Sequence, residues 1–528
     1  LSSHLQEQLQ ALAQPGARGA ITGINRGIEK ESLRITDEGK LAQTPHPVEL
    51  GSALTHSSIT TDYSEALLEF ITPVSTRIEE CLQQLENIHS FAYQRIDGEM
   101  LWSASMPCIM VGDASIPVAR YGSSNVARMK TVYRYGLGHR YGRLMQAIAG
   151  IHYNFSMPDA YWDQAWQSVG RPGVRADYIS ERYLGLIRNF RRYSWLLIYL
   201  FGASPAVCAS FVRDRDNHGL QAFDAEAKSL YLPYGTALRM GGLGYNSDAQ
   251  KRLNVCYNSL DNYVKTLSRA IMQPHPAYRD IASGQHGDYQ QLNDSLLQIE
   301  NEFYSPIRPK RVGDAGEAPL CALVRAGIEY IEVRCVDISP FSPVGLDAGQ
   351  MRFMDTFLLY CLLEESPSCE AHEQVIQAAN LEAVVNSGRL PGLLLNNGTT
   401  EIPMVQWAMD MLDEMRPIAA LLDAVHESGD YSASLKSQLA KVADPELTPS
   451  ARILREMRER KVSFFRLAMT YSAQWAQYFR ERPLPTDIQL AFDQETRSSL
   501  LAQREIEQSD DVSFEQYLDN FFAQYQTL

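Results

Sequence analysis

Acidic residues stand inside runs that otherwise read as apolar strand, and this pattern restricts the possible folds more than any other feature of the sequence. In Gly23-Ile-Asn-Arg-Gly-Ile-Glu-Lys-Glu-Ser-Leu-Arg34, Glu29 and Glu31 lie two apart and, on a strand, point to the side of Leu33 and Ile35. In Thr60-Thr-Asp-Tyr-Ser-Glu-Ala-Leu-Leu-Glu-Phe-Ile-Thr72, Glu69 sits between Leu67 and Ile71 on one strand face, with Leu68 and Phe70 on the other. As a helix the same segment would align Glu65 and Glu69 as a like-charge pair, unfavourable without a cation. In either geometry Glu69 is costly unless paired or coordinated. Ile151–Phe155 sets His152 and Asn154 on one face, and 330–335 sets Tyr330, Glu332 and Arg334 against Ile331, Val333 and Cys335.

Strands of an all-parallel sheet buried on both faces read as continuous apolar runs, so polar residues on one face predict an antiparallel sheet with one side open. From about residue 350 the pattern turns helical, as in Met351 to Leu363, Gln406 to Met415 and Ala451 to Arg460, with a polar helical tail from Pro485. The expected class is α+β. We divide the chain into a sheet core with helical insertions over 15–345 and a mainly helical portion over 346–528, forming one catalytic unit without repeats or long linkers.

One stretch tests a membrane reading: Tyr193 to Val212 carries no charge over 20 residues. Gly202, Ser204 and Pro205 interrupt it, which predicts a buried helix followed by a turn. Residues Leu1 to Gln14 show no basic stretch leading into an apolar run, so no secretion signal is expected and the cytoplasm is the expected location. Eight cysteines without a Cys-x-x-Cys pair predict reduced, mostly buried thiols. A net charge of −15 disfavours nucleic acid as a partner.

Each acidic segment has a bland reading: a solvated edge strand pairing Glu29 and Glu31 with Lys30 and Arg34, a hydrogen-bonded structural His152, a cross-sheet ion pair for Glu332 and Arg334. Their coincidence on one sheet face points further. Hard divalent cations take oxygen ligands, and Mg²⁺ is held by a few carboxylates together with substrate phosphates. A floor of Glu29, Glu31, Glu69 and Glu332 with His152 would bind several Mg²⁺ or Mn²⁺ ions; zinc fits less well without thiolates or a histidine cluster. No P-loop occurs, so nucleotide phosphates would rest on metals and scattered cations. Arg308, Lys310 and Arg311 in Tyr304-Ser-Pro-Ile-Arg-Pro-Lys-Arg311 are candidates, although such a run also suits a solvated turn. No Ser-His-Asp or Cys-His arrangement is evident.

These segments, with Gly150-Ile-His-Tyr-Asn-Phe-Ser156, Phe-Gly-Ala-Ser-Pro-Ala around 201–206, Leu297-Gln-Ile-Glu-Asn-Glu-Phe-Tyr304 and Gly327-Ile-Glu-Tyr-Ile-Glu-Val-Arg334, resemble the glutamate–cysteine ligases of the proteobacterial type, from about Gly23 to Pro343. The last third resembles them more loosely, around Leu447 to Leu454. The resemblance implies an antiparallel cradle related to the sheets of glutamine synthetase and the guanidino kinases. It implies ATP-dependent joining of the glutamate γ-carboxylate to the cysteine amine through a γ-glutamyl phosphate, opening glutathione synthesis. By matching position the metal ligands are Glu29, Glu31, Asp62, Glu69, His152 and Glu332, holding two or three ions. Arg334 faces the reacting carboxylate or phosphate, and Glu69 and Glu332 join it as the residues most critical to turnover.

The implied cysteine pocket is Tyr63, Tyr133, Leu137, Gln146, Arg239, Tyr245 and Tyr304; Ile148, Asn154 and Arg334 are the glutamate-side candidates. Enterobacterial members carry Phe where this chain has Tyr63, which bears on thiol-side packing but not on the reaction. A monomer, subject to feedback by glutathione, is the expectation. The alternatives are a ligase pairing glutamate with another amine, a non-catalytic divalent-cation protein and a metal-assisted hydrolase.

Overall fold

Among the described residues, seven strands form the open-faced sheet: β1 (Asn25–Thr36), β2 (Ile59–Thr61), β3 (Leu67–Ile71), β4 (Glu99–Leu101), β5 (Ile151–Ser156), and two later ones. The computed structural model describes the chain except residues 214, 216, 217, 227, 245–249, 251 and 252. A small three-stranded sheet, β6 (Ala206–Cys208), β7 (Gln221–Ala222) and β8 (Ser229–Tyr231), comes before β9 (Ile307–Lys310) and β10 (Tyr330–Val336), which complete the large sheet. Its order is β2-β3-β1-β5-β10-β9, with β4 on the far end of β1. Every described pairing in it is antiparallel, as the one-sided polarity predicts.

Strand alternation divides the charges of β1 between two environments. Glu29 and Glu31 face the open side, while Arg26, Lys30 and Arg34 point back under the helices, all of them buried. There Arg26 pairs with Asp355 at 2.7 Å and Arg34 with Glu99 at 2.6 Å. The Lys30 ammonium lies 2.5 Å from Ser32 Oγ and 3.1 Å from His89 Nε2, and burial lowers its pKa to about 7. The local pairing of Glu29 and Glu31 with Lys30 and Arg34 therefore does not form, because the alternation separates them.

The helix Ile78–Tyr93 packs behind β1 and β3, Arg175–Phe201 behind β9 and β10, and Ala348–Leu363 against both helices. The uncharged stretch at Tyr193–Val212 is the buried end of Arg175–Phe201, then a turn, then β6. Gly202 ends that helix where a Cβ would lie 2.5 Å from the Ile198 carbonyl oxygen and 2.8 Å from that of Thr236. No described helix is long and apolar enough to cross a membrane. Helices dominate from Ala348 to Ala523, broken by the hairpin β11 (Leu394–Asn396) and β12 (Glu401–Pro403). Several open on a hydroxyl cap, such as Thr448 before Pro449–Arg460 and Ser463 before Phe464–Glu481. All eight cysteines are unpaired and six are buried.

Candidate active site

Register lines the functional side chains up across the sheet. Glu31 stands opposite Glu69 on β3, Glu29 opposite His152 on β5, Asn154 opposite Glu332 on β10, and Glu332 opposite Arg308 on β9. A one-residue slip in any pair would turn its side chains to the wrong face. His152 Nδ1 lies 3.0 Å from Glu29 Oε2, and Asn154 Nδ2 donates to Glu29 Oε1 at 2.9 Å. Glu31 is almost fully buried and accepts the Gly150 amide at 2.7 Å. Glu332 lies between two cations, 3.3 Å from Lys310 Nζ and 2.9 Å from Arg334 Nη1.

These carboxylates titrate differently. Burial alone would raise Glu332, but Lys310 and Arg334 hold it well below the usual carboxylate range, and Glu332 in turn raises Lys310. Burial also works against Glu29, which the hydrogen bond from His152 keeps low. Glu31 is pushed up by burial and by Asp62, and Glu69 further still by burial and by Asp62, Glu29 and Glu31. The β1–β3 side of the floor thus carries more negative charge than its neighbours neutralise.

The donor set fits a hard divalent cation. One donor atom each from Glu29, His152 and Glu332 lies within 4.8 Å of the others. His152 Nε2 is buried and has no hydrogen-bond partner. With the imidazole proton on Nδ1, toward Glu29, the Nε2 lone pair is left for a metal.

The floor lines a cavity of about 420 Å³. Glu29, Glu69, His152, Glu332 and Arg334 line it, joined by Asp62 from the turn after β2. Around them stand Tyr63, Tyr133, Leu137, Gln146 and Tyr304, with Gln146 Nε2 donating to Tyr304 Oη at 3.1 Å. Tyr63 is nearly inaccessible and its hydroxyl has no hydrogen-bond partner. Arg308 and Lys310 complete the cationic side.

Other candidates lie elsewhere. Glu31 and Asn154 sit beneath the lining, bonded to Gly150 and Glu29, and Ile148 is buried. Arg239 is behind the floor, donating to the Arg334 carbonyl at 2.8 Å and lying 3.9 Å from Asp337. Arg311 is turned away, 3.7 Å from Glu329 and bonded to the Gly327 carbonyl. Tyr245 lies outside the described residues.

The cavity also recruits residues that strand alternation does not mark. Lys130 and Arg134 line it from the helix Asn125–Tyr141, on the face that carries Tyr133 and Leu137 at helical spacing. Arg134 bonds the Asp62 carbonyl and lies 3.8 Å from its carboxylate. Glu302 is at the wall but is held by Arg140 at 2.9 Å and Tyr141 at 2.6 Å. Tyr517 and Phe521 reach the cavity from the helix Phe514–Ala523.

Residues 9–384 match the glutamate-cysteine ligase family. The chain is 50% identical over 529 residues to the glutamate–cysteine ligase of Azotobacter vinelandii, covering 100% of this chain and 98% of that protein. It is 49% identical over 508 residues to that of Saccharophagus degradans, covering 96% of each. The crystal structure of the Francisella tularensis glutamate–cysteine ligase in complex with AMP superposes with a TM-score of 0.89 at 35% identity, over 96% of this chain and 98% of that one. A bifunctional glutathione synthetase from Pasteurella multocida shares the fold, with a TM-score of 0.73 at 24% identity over 94% of this chain and 58% of that one.

Proposed function

The chain belongs to the glutamate–cysteine ligase family, and on that premise we propose that the cavity above the sheet is where it carries out its reaction. That reaction is the ATP-dependent joining of L-glutamate to L-cysteine, giving γ-glutamylcysteine in the first step of glutathione biosynthesis. The observation that supports placing it here is the meeting of Glu29, His152 and Glu332 beside Arg334 and Lys310 on one sheet face.

A carboxylate does not acylate an amine unaided, so the glutamate γ-carboxylate is first activated. A γ-carboxylate oxygen bonds to the terminal phosphorus of ATP as the bridging P–O bond breaks and ADP leaves. The cysteine nitrogen then attacks the acyl carbon, the carbon–oxygen bond to phosphate breaks, and the amine loses its proton. Phosphoryl transfer needs in-line placement and charge neutralisation more than a protein nucleophile. Arg334, oriented by Glu332, faces the transferring group, while Arg308 and Lys310 meet the phosphates. Arg311, paired with Glu329, is left out of that role.

Glu29, Glu31, Asp62, Glu69, His152 and Glu332 would hold two or three Mg²⁺ ions, which when bound neutralise charge on the phosphates and on this floor. Mn²⁺ suits the same donors. Tyr63, Tyr133, Leu137, Gln146 and Tyr304 form the cysteine side, backed by Arg239. The Tyr63 hydroxyl, buried and without a hydrogen-bond partner, stands on that side. Asn154, bonded to Glu29, and Ile148, buried just ahead of β5, belong to the glutamate side. Glutathione contains the γ-glutamylcysteine unit and would compete for the cavity of a monomeric enzyme.

An isotope experiment tests the activated intermediate. Glutamate labelled with ¹⁸O in its γ-carboxylate should pass one labelled oxygen to inorganic phosphate for each peptide formed. Unlabelled phosphate would exclude the acyl phosphate. More efficient turnover with another small amine than with cysteine would reassign the second substrate.

A further inference from the structure

Two rings of the helix Phe514–Ala523, well beyond the family match that ends at residue 384, face the catalytic cavity. Tyr517 and Phe521 are four residues apart and share one helix face, both half-buried. The same face, at i, i+3, i+4 and i+7 spacing, buries Phe514 and Leu518 in a small apolar cluster with Met129, Val132 and Leu292, against which Tyr517 and Phe521 also pack on its cavity side.

The helix is held on both sides of the cavity. Toward the helix Asn125–Tyr141, Asn125 Nδ2 donates to the Val512 carbonyl at 3.0 Å, its amide donates to Asp510 at 2.6 Å, and Arg128 lies 4.2 Å over the Phe514 ring. Toward the sheet edge, the Tyr525 hydroxyl donates to buried Glu300. The Gln524 side chain accepts the Ala318 amide at 2.9 Å and donates to the Gly316 carbonyl at 3.0 Å.

Tyr517 and Phe521 thereby form, with Val126, Met129 and Ile299, an apolar corner in a cavity whose floor is charged. That corner adjoins the cations assigned to phosphate, since Arg308 donates to the Asn301 carbonyl at 2.9 Å and also to that of Phe303. Glutamate carries charged groups on a compact frame that gains little from such a corner, and the cysteine side already has rings of its own in Tyr63, Tyr133 and Tyr304. Among the reactants the purine of ATP is the one large group with apolar faces, and aromatic rings are its usual seat.

We propose that Tyr517 and Phe521 seat the adenine base of ATP, so that the helix Phe514–Ala523 positions the nucleotide for phosphoryl transfer. The assignment rests on the reading above, in which this cavity binds ATP. The test uses the full chain with Mg²⁺ and compares ADP with inorganic tripolyphosphate by calorimetry, in wild type and in Tyr517→Ala, Phe521→Ala and Tyr517→Phe. Each alanine variant should weaken ADP roughly tenfold, and tripolyphosphate by less than about twofold, because one stacked ring is lost and the phosphate cations stay. Tyr517→Phe keeps the ring and should bind ADP like wild type, which separates stacking from damage to the helix.

Alanine variants that bind ADP as wild type, or that lose ADP and tripolyphosphate equally, overturn the assignment. So does a rise in KM for an amino acid with no rise for ATP. If wild type itself binds no adenine nucleotide, the ligase reading of the cavity fails first, and this one with it.

Discussion

Arg26 and Asp355 form an ion pair with no exposed side-chain surface, joining the back of β1 to the helix Ala348–Leu363. Asp355 Oδ2 takes Arg26 Nε at 2.8 Å and Nη2 at 2.7 Å, while Oδ1 accepts the Tyr153 hydroxyl at 2.7 Å. Burial works against the guanidinium charge, and Asp355 holds its pKa above the ordinary value. Asp355→Leu leaves the buried cation with only the Ile24 and Thr76 carbonyls and the Tyr431 hydroxyl, a loss of about 3–5 kcal/mol. Arg26→Met strands the carboxylate and should cost a similar amount.

The double variant leaves the Tyr153 hydroxyl and the Ile24 and Thr76 carbonyls without these partners but strands no buried charge, a loss of about 1–3 kcal/mol. Urea midpoints at unchanged slope measure all three. The expected coupling is several kcal/mol, with the double variant no worse than either single one. A double-variant loss equal to the sum of the singles would refute the reasoning, since the charges would then not depend on each other.

Glu69→Gln should stabilise the Mg²⁺-free protein by about 1 kcal/mol, because it removes a carboxylate strained first by burial and then by repulsion from Asp62, Glu29 and Glu31, while cutting turnover ~100-fold or more. Thermal melts in chelator alongside steady-state rates check both signs. Lys310→Met should raise KM for ATP about 10- to 100-fold without moving KM for cysteine, as expected for one charge-assisted phosphate contact. Equal changes in both constants would place Lys310 elsewhere. Lys441 is buried enough that its pKa falls from 10.5 to about 8, although it bonds the Leu200 carbonyl at 3.0 Å. Its cost is full below pH 8 and is relieved as pH climbs toward 10.5, because the unfolded chain then holds the proton that the native state has lost. Lys441→Met should therefore be more stable than wild type at pH 7 by about 1 kcal/mol or more, with the advantage shrinking toward pH 10.5. A difference in melting temperature that does not change with pH would contradict this.

The sheet was legible because its strands alternate cleanly. Ile151–Ser156 and Tyr330–Val336 are strands where polar and apolar residues take turns, and the acidic residues placed on one face do share it. The far side of β1 was less legible. Arg26, Lys30 and Arg34 look like solvated charges, yet they are buried against partners as distant in sequence as Asp355, 329 residues away. Local patterning cannot announce such a partner.

The cavity's roof was hidden for a related reason. Tyr517 and Phe521 satisfy an ordinary amphipathic helix, and only the tertiary docking of that helix through Asn125, Gly316 and Glu300 turns their rings toward the floor. Arg308 and Arg311 show the limit of reading a basic run. They are three residues apart, but Arg308 lines the cavity while Arg311 binds the Gly327 carbonyl.

The most direct test of the account is ADP release by the purified protein with ATP and Mg²⁺, comparing L-glutamate plus L-cysteine with each amino acid alone, in wild type and Glu69→Ala. The account predicts release that needs both amino acids and that falls ~100-fold or more in the variant. Release that is independent of the amino acids, or unchanged in Glu69→Ala, would contradict the assignment of ligation to this carboxylate floor.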